Sequence, residues 1–154
     1  MNKTLVFTLI LLGVAWSTSA QPATIAAQGY ARETPPGPPM SAAFVSLHNT
    51  GRSEQVLTGI ELPGLEGASA DLHSTISEGG VNRMRPLQKV VIAAGAHLEM
   101  VPGGLHLMIN GLRLQAGDQL PLRLLFSDGS SVDILLPIVG LSDDSENHHH
   151  HQHG

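Results

Sequence analysis

Cysteine is absent from the 154 residues. That single absence removes disulfides, thiolate metal sites, iron–sulfur clusters and cysteine nucleophiles, and it excludes a lipid-anchored lipoprotein. Aromatic residues make up only 3%, so any core has to be aliphatic. Charged residues are also sparse at 14%, too few for a disordered polyelectrolyte. Eight Lys and Arg against 13 Asp and Glu give a formal net charge of −5. The basic residues form no run, so a nucleic-acid partner has no electrostatic footing. What remains for soft-metal chemistry is nine His and five Met.

The first twenty residues read as a secretory signal peptide. Lys3 supplies the positive start, Leu5 to Trp16 the apolar stretch, and Thr18-Ser19-Ala20 the small residues of a cleavage site. An apolar run of about twelve residues is too short to cross a hydrocarbon core of roughly 30 Å. No later segment reaches spanning length, so no membrane span is expected in the mature form. Residues 21–140 then form one domain, and 141–154 a flexible acidic tail that ends in histidines.

From residue 23 to about 140, short apolar runs alternate with Gly, Pro, Asn and Asp. The expected strands are Thr24–Tyr30, Ala42–His48, Glu54–Leu62, Ala68–Thr75, Gly80–Arg85, Lys89–Ile92, His97–Val101, Leu105–Asn110, Leu120–Ser127 and Ser131–Val139. Pro35-Pro36-Gly37-Pro38-Pro39 cannot sit in a ladder and reads as a long loop. No stretch sustains a helical period. The fold class is therefore all-β, a β-sandwich of Greek-key type.

The chemistry-bearing residues follow from strand alternation. In Leu105-His106-Leu107-Met108-Ile109, successive side chains point to opposite faces. Leu105, Leu107 and Ile109 take the core face, which leaves His106 and Met108 together on the other. His73 alternates likewise beside Leu72. Met84 stands between Arg83 and Arg85, an odd place for a core filler. Two imidazoles and two thioethers make a candidate soft-metal set. Thioether sulfur carries no proton and suits Cu(I), imidazole suits Cu, Zn and Ni, and without carboxylates the set disfavours Mg, Ca and Mn. Blue-copper electron transfer is excluded because it needs a Cys thiolate.

The spacing His73-x10-Met84-x21-His106-x-Met108 resembles the signature of the periplasmic copper chaperones of the PCu(A)C family. The flanking text is similar too: Phe44 to Gly51, Asn82 to Leu87, and Pro102 to Leu112. The resemblance covers roughly residues 23–138. It implies a cupredoxin-like sandwich, a periplasmic location and one Cu(I) held by His73, Met84, His106 and Met108. It also implies a monomer that delivers copper to the copper subunit of cytochrome c oxidase or to its assembly factors. Many members are richer in Met between the first two ligands, where this chain has Ile76 and Asn82. The alternative on the same ligands is a copper-sequestering or resistance protein with no dedicated acceptor.

The remaining candidates have plainer readings. His48 reads as a strand-end residue before the Asn49-Thr50-Gly51 turn. His97 and Met100 are three apart, hence on opposite faces, and cannot chelate jointly without a bulge. Met40 follows the proline-rich loop, and the sequence does not place it. Arg83 and Arg85 offer either a docking charge or a solvated face. His148, His149, His150, His151 and His153 form a candidate Cu(II) site. They are either a natural metal-collecting tail or an added purification tag, and the interruption by Gln152 favours the former. No phosphate-cradling loop, zinc-hydrolase motif or nucleophile elbow is present, so no enzymatic activity is expected.

Trp16 is the sole tryptophan and precedes the expected cleavage site. The secreted protein should therefore emit only weakly, as a tyrosine chromophore through Tyr30. Strong tryptophan fluorescence from the exported form would contradict cleavage after Ala20.

Overall fold

A computed structural model describes residues 24–141, so the leader and the histidine tail lie outside the described residues. Ten strands follow in order: β1 Ile25–Arg32, β2 Met40–Asn49, β3 Gln55–Glu61, β4 Ser69–Glu78, β5 Val81–Pro86, β6 Val90–Ile92, β7 His97–Glu99, β8 Leu105–Asn110, β9 Gln119–Phe126 and β10 Ser131–Val139. Each falls on an expected strand, with ends shifted by up to three residues. Among the described residues there is no helix, and so none long and apolar enough to cross a membrane.

Hydrogen bonding links the strands in the order β5-β4-β8-β2-β1-β10-β9-β3-β6, with β7 also on β2. The parallel β1–β10 pair joins a half built from β5, β4, β8, β2 and β1 to a half built from β10, β9, β3 and β6. The chain passes between the halves at β2 to β3, β3 to β4, β5 to β6, β6 to β7 and β8 to β9. These are the crossovers of a Greek-key sandwich. Both halves feed one buried cluster, which includes Val45, Leu47, Leu107 and Ile109 from one side and Leu120, Leu122, Leu124 and Leu136 from the other. Phe44 and Phe126 are the only buried phenyl rings among the described residues, so the core is aliphatic as expected. Each buried Leu or Ile contributes about 1.5–3 kcal/mol.

Period-two burial is clearest in β9, where Leu120, Leu122, Leu124 and Phe126 sink while Pro121, Arg123 and Leu125 point outward. On that outer face Arg123 pairs with Asp133 directly across on β10, at 2.7 and 3.1 Å. The guanidinium holds the Asp133 carboxyl below its ordinary range.

Asn49 closes one end of the sandwich. Its side chain is fully buried. The amide donates to the carbonyls of Ser53 (2.8 Å) and Ile92 (3.0 Å), and its oxygen accepts the Gly51 N–H (3.0 Å). It thus ties the end of β2 to the next loop and to the end of β6. Replacing Asn49 by Ala should strand these buried groups and cost about 1–3 kcal/mol. The check is urea unfolding, with a lower midpoint and an unchanged slope expected.

Candidate metal site

β8 lies between β2 and β4, and its registers with both decide what shares a face. His106 pairs directly with His73, and Met108 with Asp71 on β4 and Ala42 on β2. On β5, Met84 lies opposite Thr75, two residues along β4 from His73. Because side chains alternate, His73, Met84, His106 and Met108 all stand on the face of the half-sheet turned away from the core. Leu72, Leu107 and Ile109 are buried on the opposite face. The four side chains singled out by spacing are brought to one face of three adjacent strands.

Local sequence explains the placement. Val101-Pro102-Gly103-Gly104 is a turn closed by the Gly104 N–H on the Val101 carbonyl at 3.0 Å. Pro at the second position and a left-handed Gly103 (φ 77°) make it type II. β7 and β8 both run along β2 and are interrupted by this excursion. β4 and β5 are joined through Gly79-Gly80, both at positive φ (60° and 81°), as a two-residue type I′ hairpin requires. That hairpin carries Met84 on the sheet edge.

The two imidazoles are pre-oriented. Nδ1 of His73 lies 3.2 Å from the Asp71 carbonyl, and Nδ1 of His106 lies 3.0 Å from the Gly104 carbonyl. A carbonyl only accepts, so each Nδ1 carries the hydrogen and each Nε2 keeps its lone pair. That is the form a metal ligand needs. The Gly104 carbonyl also accepts the Thr75 N–H at 3.1 Å, so one oxygen orients His106 and anchors β4. The ring centroids of His73 and His106 are 6.0 Å apart.

Behind His106 an aromatic row crosses the sheet. Phe44 is 6.4 Å from His106, Tyr30 is 5.3 Å from Phe44, and the Arg32 guanidinium sits 5.3 Å over the Phe44 ring. Packing against this row leaves His106 only 6% exposed, more enclosed than a strand's outer face suggests. Met84, by contrast, is 54% exposed. The site therefore has a buried imidazole at one side and an open thioether at the other.

The other candidates resolve as follows. Met40 opens β2 opposite Asn110, on the same face as Met108. Met100 is buried and His97 exposed, on opposite faces as their spacing required. Arg83 and Arg85 both reach Glu78 of their own hairpin, at 3.8 and 3.4 Å. His148, His149, His150, His151 and His153 lie outside the described residues. Sequence reasoning did not find Asp71 facing Met108, nor the stacking of His48 on His97, with centroids 3.8 Å apart. Both follow from cross-strand register, for which the sequence carries no local signal. Among the described residues, no three His, Asp or Glu cluster tightly enough to hold a metal by themselves. A metal on this face draws on the thioethers, which suits a soft ion and leaves a hard one without an oxygen cage.

Nitrogen-15 NMR of the metal-free protein above pH 8 should show His73 and His106 as Nδ1–H tautomers with unprotonated Nε2. The Nε2–H tautomer at either residue would contradict the orientation described.

The chain matches the family described as "Putative lipoprotein LpqE-like" over residues 25–138. A protein named "Putative lipoprotein Lxx21020", from Leifsonia xyli subsp. xyli, is 34% identical over 115 residues, which is 73% of this chain and 68% of that protein. Among solved structures, the copper-bound PCuAC domain from PmoF2 superposes with a TM-score of 0.61 at 15% identity, over 77% of this chain and 94% of that one. The Cu(I) form of DR1885 from Deinococcus radiodurans gives 0.54 at 24% identity, over 79% of this chain and 81% of that one. The expected cupredoxin-like architecture is thereby met. This chain belongs to the LpqE-like family and has the fold of the PCuAC domains.

Proposed function

We propose that this protein is a copper chaperone of the cell envelope, which carries one Cu(I) on His73, Met84, His106 and Met108. The observation that carries the proposal is the pre-oriented cross-strand pair of His73 and His106, whose free Nε2 atoms share a face with two thioethers. Two neutral sulfurs favour Cu(I) over Cu(II), and they add no proton competition to that of the imidazoles. The PmoF2 domain of the same fold is a copper-bound form and the DR1885 structure a Cu(I) form, which supports the choice of metal.

Delivery is favoured over storage by the position of Met84. It is half-exposed on an edge strand, where an acceptor's ligand can replace it while the enclosed His106 still holds the ion. We propose as acceptor the copper subunit of cytochrome c oxidase or one of its assembly factors, reached by a monomeric carrier. Export to the periplasm is supported by the leader-like residues 1–20 and by the naming of the Leifsonia relative as a lipoprotein. This chain has no cysteine to receive a lipid. The tail histidines are proposed to collect Cu(II).

Competition with a Cu(I) chelator tests the ligand set. Loss of even an outer partner of a metal ligand costs about 10–100-fold in affinity. His106→Ala, Met108→Ala, His73→Ala and Met84→Ala should each weaken Cu(I) by at least about tenfold, whereas His48→Ala should not. Equal affinities across the set would overturn the assignment. Mixing the Cu(I) form with an apo oxidase copper domain then separates the two functions. Transfer supports delivery; retention of the copper identifies a sequestering protein.

A further inference from the structure

We infer that the hairpin of β4 and β5 is the docking element for the copper acceptor, and that it fits a cleft in that protein walled by carboxylates and apolar side chains. The inference rests on the chaperone reading above and says which surface the acceptor grips. β8 pairs with β4 only from Ser69 to Ser74, and the Thr75 N–H makes the last bond on that side, to the Gly104 carbonyl. Pairing of β4 with β5 continues to Glu78 and Val81. Three more residues of strand carry the hairpin about 10 Å past its neighbour. Every residue from Ile76 to Lys89 is exposed, so this ribbon has water on both faces.

Alternation decides what each face offers. Met84 stands on the metal side with Thr75 and Asn82. On the reverse, Ile76, Val81, Arg83 and Arg85 continue the row that buries Ala70 and Leu72 further back. That row is core where the other half-sheet lies beneath it, and it is uncovered where the hairpin overruns. Nine large apolar side chains are exposed among the described residues, and four of them (Ile76, Val81, Met84 and Leu87) fall between residues 76 and 87. A two-stranded ribbon is marginally stable by itself in water, and clustered apolar side chains on its surface mark a place that a partner covers.

Charge selects the kind of partner. Arg83 and Arg85 share a single acid, Glu78, at 3.8 and 3.4 Å. The hairpin thus keeps a positive charge on a chain whose formal net charge is −5. Residues 79–98 hold three of the eight basic residues and none of the 13 acidic ones. Asp71, the next acid back along β4, stands five residues from Ile76, about 17 Å away and on the other face. With a Debye length of about 8 Å at physiological ionic strength, such distant acids do not offset the arginines. Carboxylates are the complementary groups. Addition of an acceptor strand to the edge of β5 is opposed by Pro86 and by the arginines themselves, so the hairpin offers its faces. Inside a cleft, Met84 meets the acceptor's copper ligand on one wall while Arg83 and Arg85 meet acids on the other.

The experiment is nitrogen-15 NMR of the Cu(I)-loaded full chain titrated with an apo oxidase copper domain. Shifts are expected at residues 75–89. Two double variants spare the proposed ligands: Arg83→Ala with Arg85→Ala, and Ile76→Ser with Val81→Ser. Each should weaken the complex about tenfold, whereas Leu135→Ser, an exposed change on the other half-sheet, should not. Cu(I) affinity by chelator competition should be unchanged in all three, and dispersed spectra will report that each is folded. Added NaCl should weaken the unmodified complex more than that of the arginine variant. Shifts confined to other residues, or complexes of undiminished affinity in both double variants, would overturn the docking surface and leave delivery standing. Neither shifts nor copper transfer with the unmodified chain would retire the proposed acceptor and this inference with it. Co-sedimentation of the chain with phosphatidylglycerol vesicles, lost in the arginine variant, would identify a lipid surface instead and overturn the inference.

Discussion

Leu107 and Ile109 are fully buried, and the alternation that sinks them leaves His106 and Met108 no choice of face. The same constraint acts on β4, where Ala70 and Leu72 enter the core and Asp71 and His73 do not. A slip of one residue in the β4–β8 ladder would turn a histidine inward and expose a leucine. The hydrophobic core is thus what holds the candidate metal face in register, and Phe44, itself buried, packs on His106 there. The aromatic row and the Gly104 carbonyl then refine positions that burial has already selected.

Enclosure and access are divided along the sheet. His106 lies toward the interior of the half-sheet and is packed by Phe44 and His73. Met84 lies on the outermost strand and is open to water. In the proposed copper site, a rigid ligand gives a soft ion a fixed geometry to bind, and a replaceable one gives it a way out. Arg83 and Arg85, which flank Met84 in sequence, spend their charge on Glu78 within the hairpin. The electrostatic character near the exposed thioether is therefore milder than two adjacent arginines suggest.

All ten strands were legible in the sequence because Gly and Pro punctuate it so densely, and the four-residue His and Met spacing picked out side chains that share a face. Lateral order was not legible. That β8 inserts between β2 and β4 depends on crossovers spanning tens of residues, and periodicity within a strand carries no information about its neighbours. For the same reason His48 and His97 look unrelated along the chain and stack in space. Asp71 faces Met108 on equal terms. The burial of His106 was hidden too, since it arises from Phe44 on another strand.

The open edge at β5 has a further consequence. Any outermost strand offers unpaired backbone groups to a neighbouring molecule, and an apolar one invites edge-to-edge association. β5 must stay uncovered if Met84 is to be reached, so the hazard cannot be removed by covering it. The strand is only six residues long and carries Arg83, Arg85 and Pro86, which resist extension of the sheet by charge repulsion and by the loss of a donor. At the opposite end of the ladder, β6 is shorter still at three residues. The arginines beside the methionine thus guard the edge strand on which Met84 stands against sheet extension.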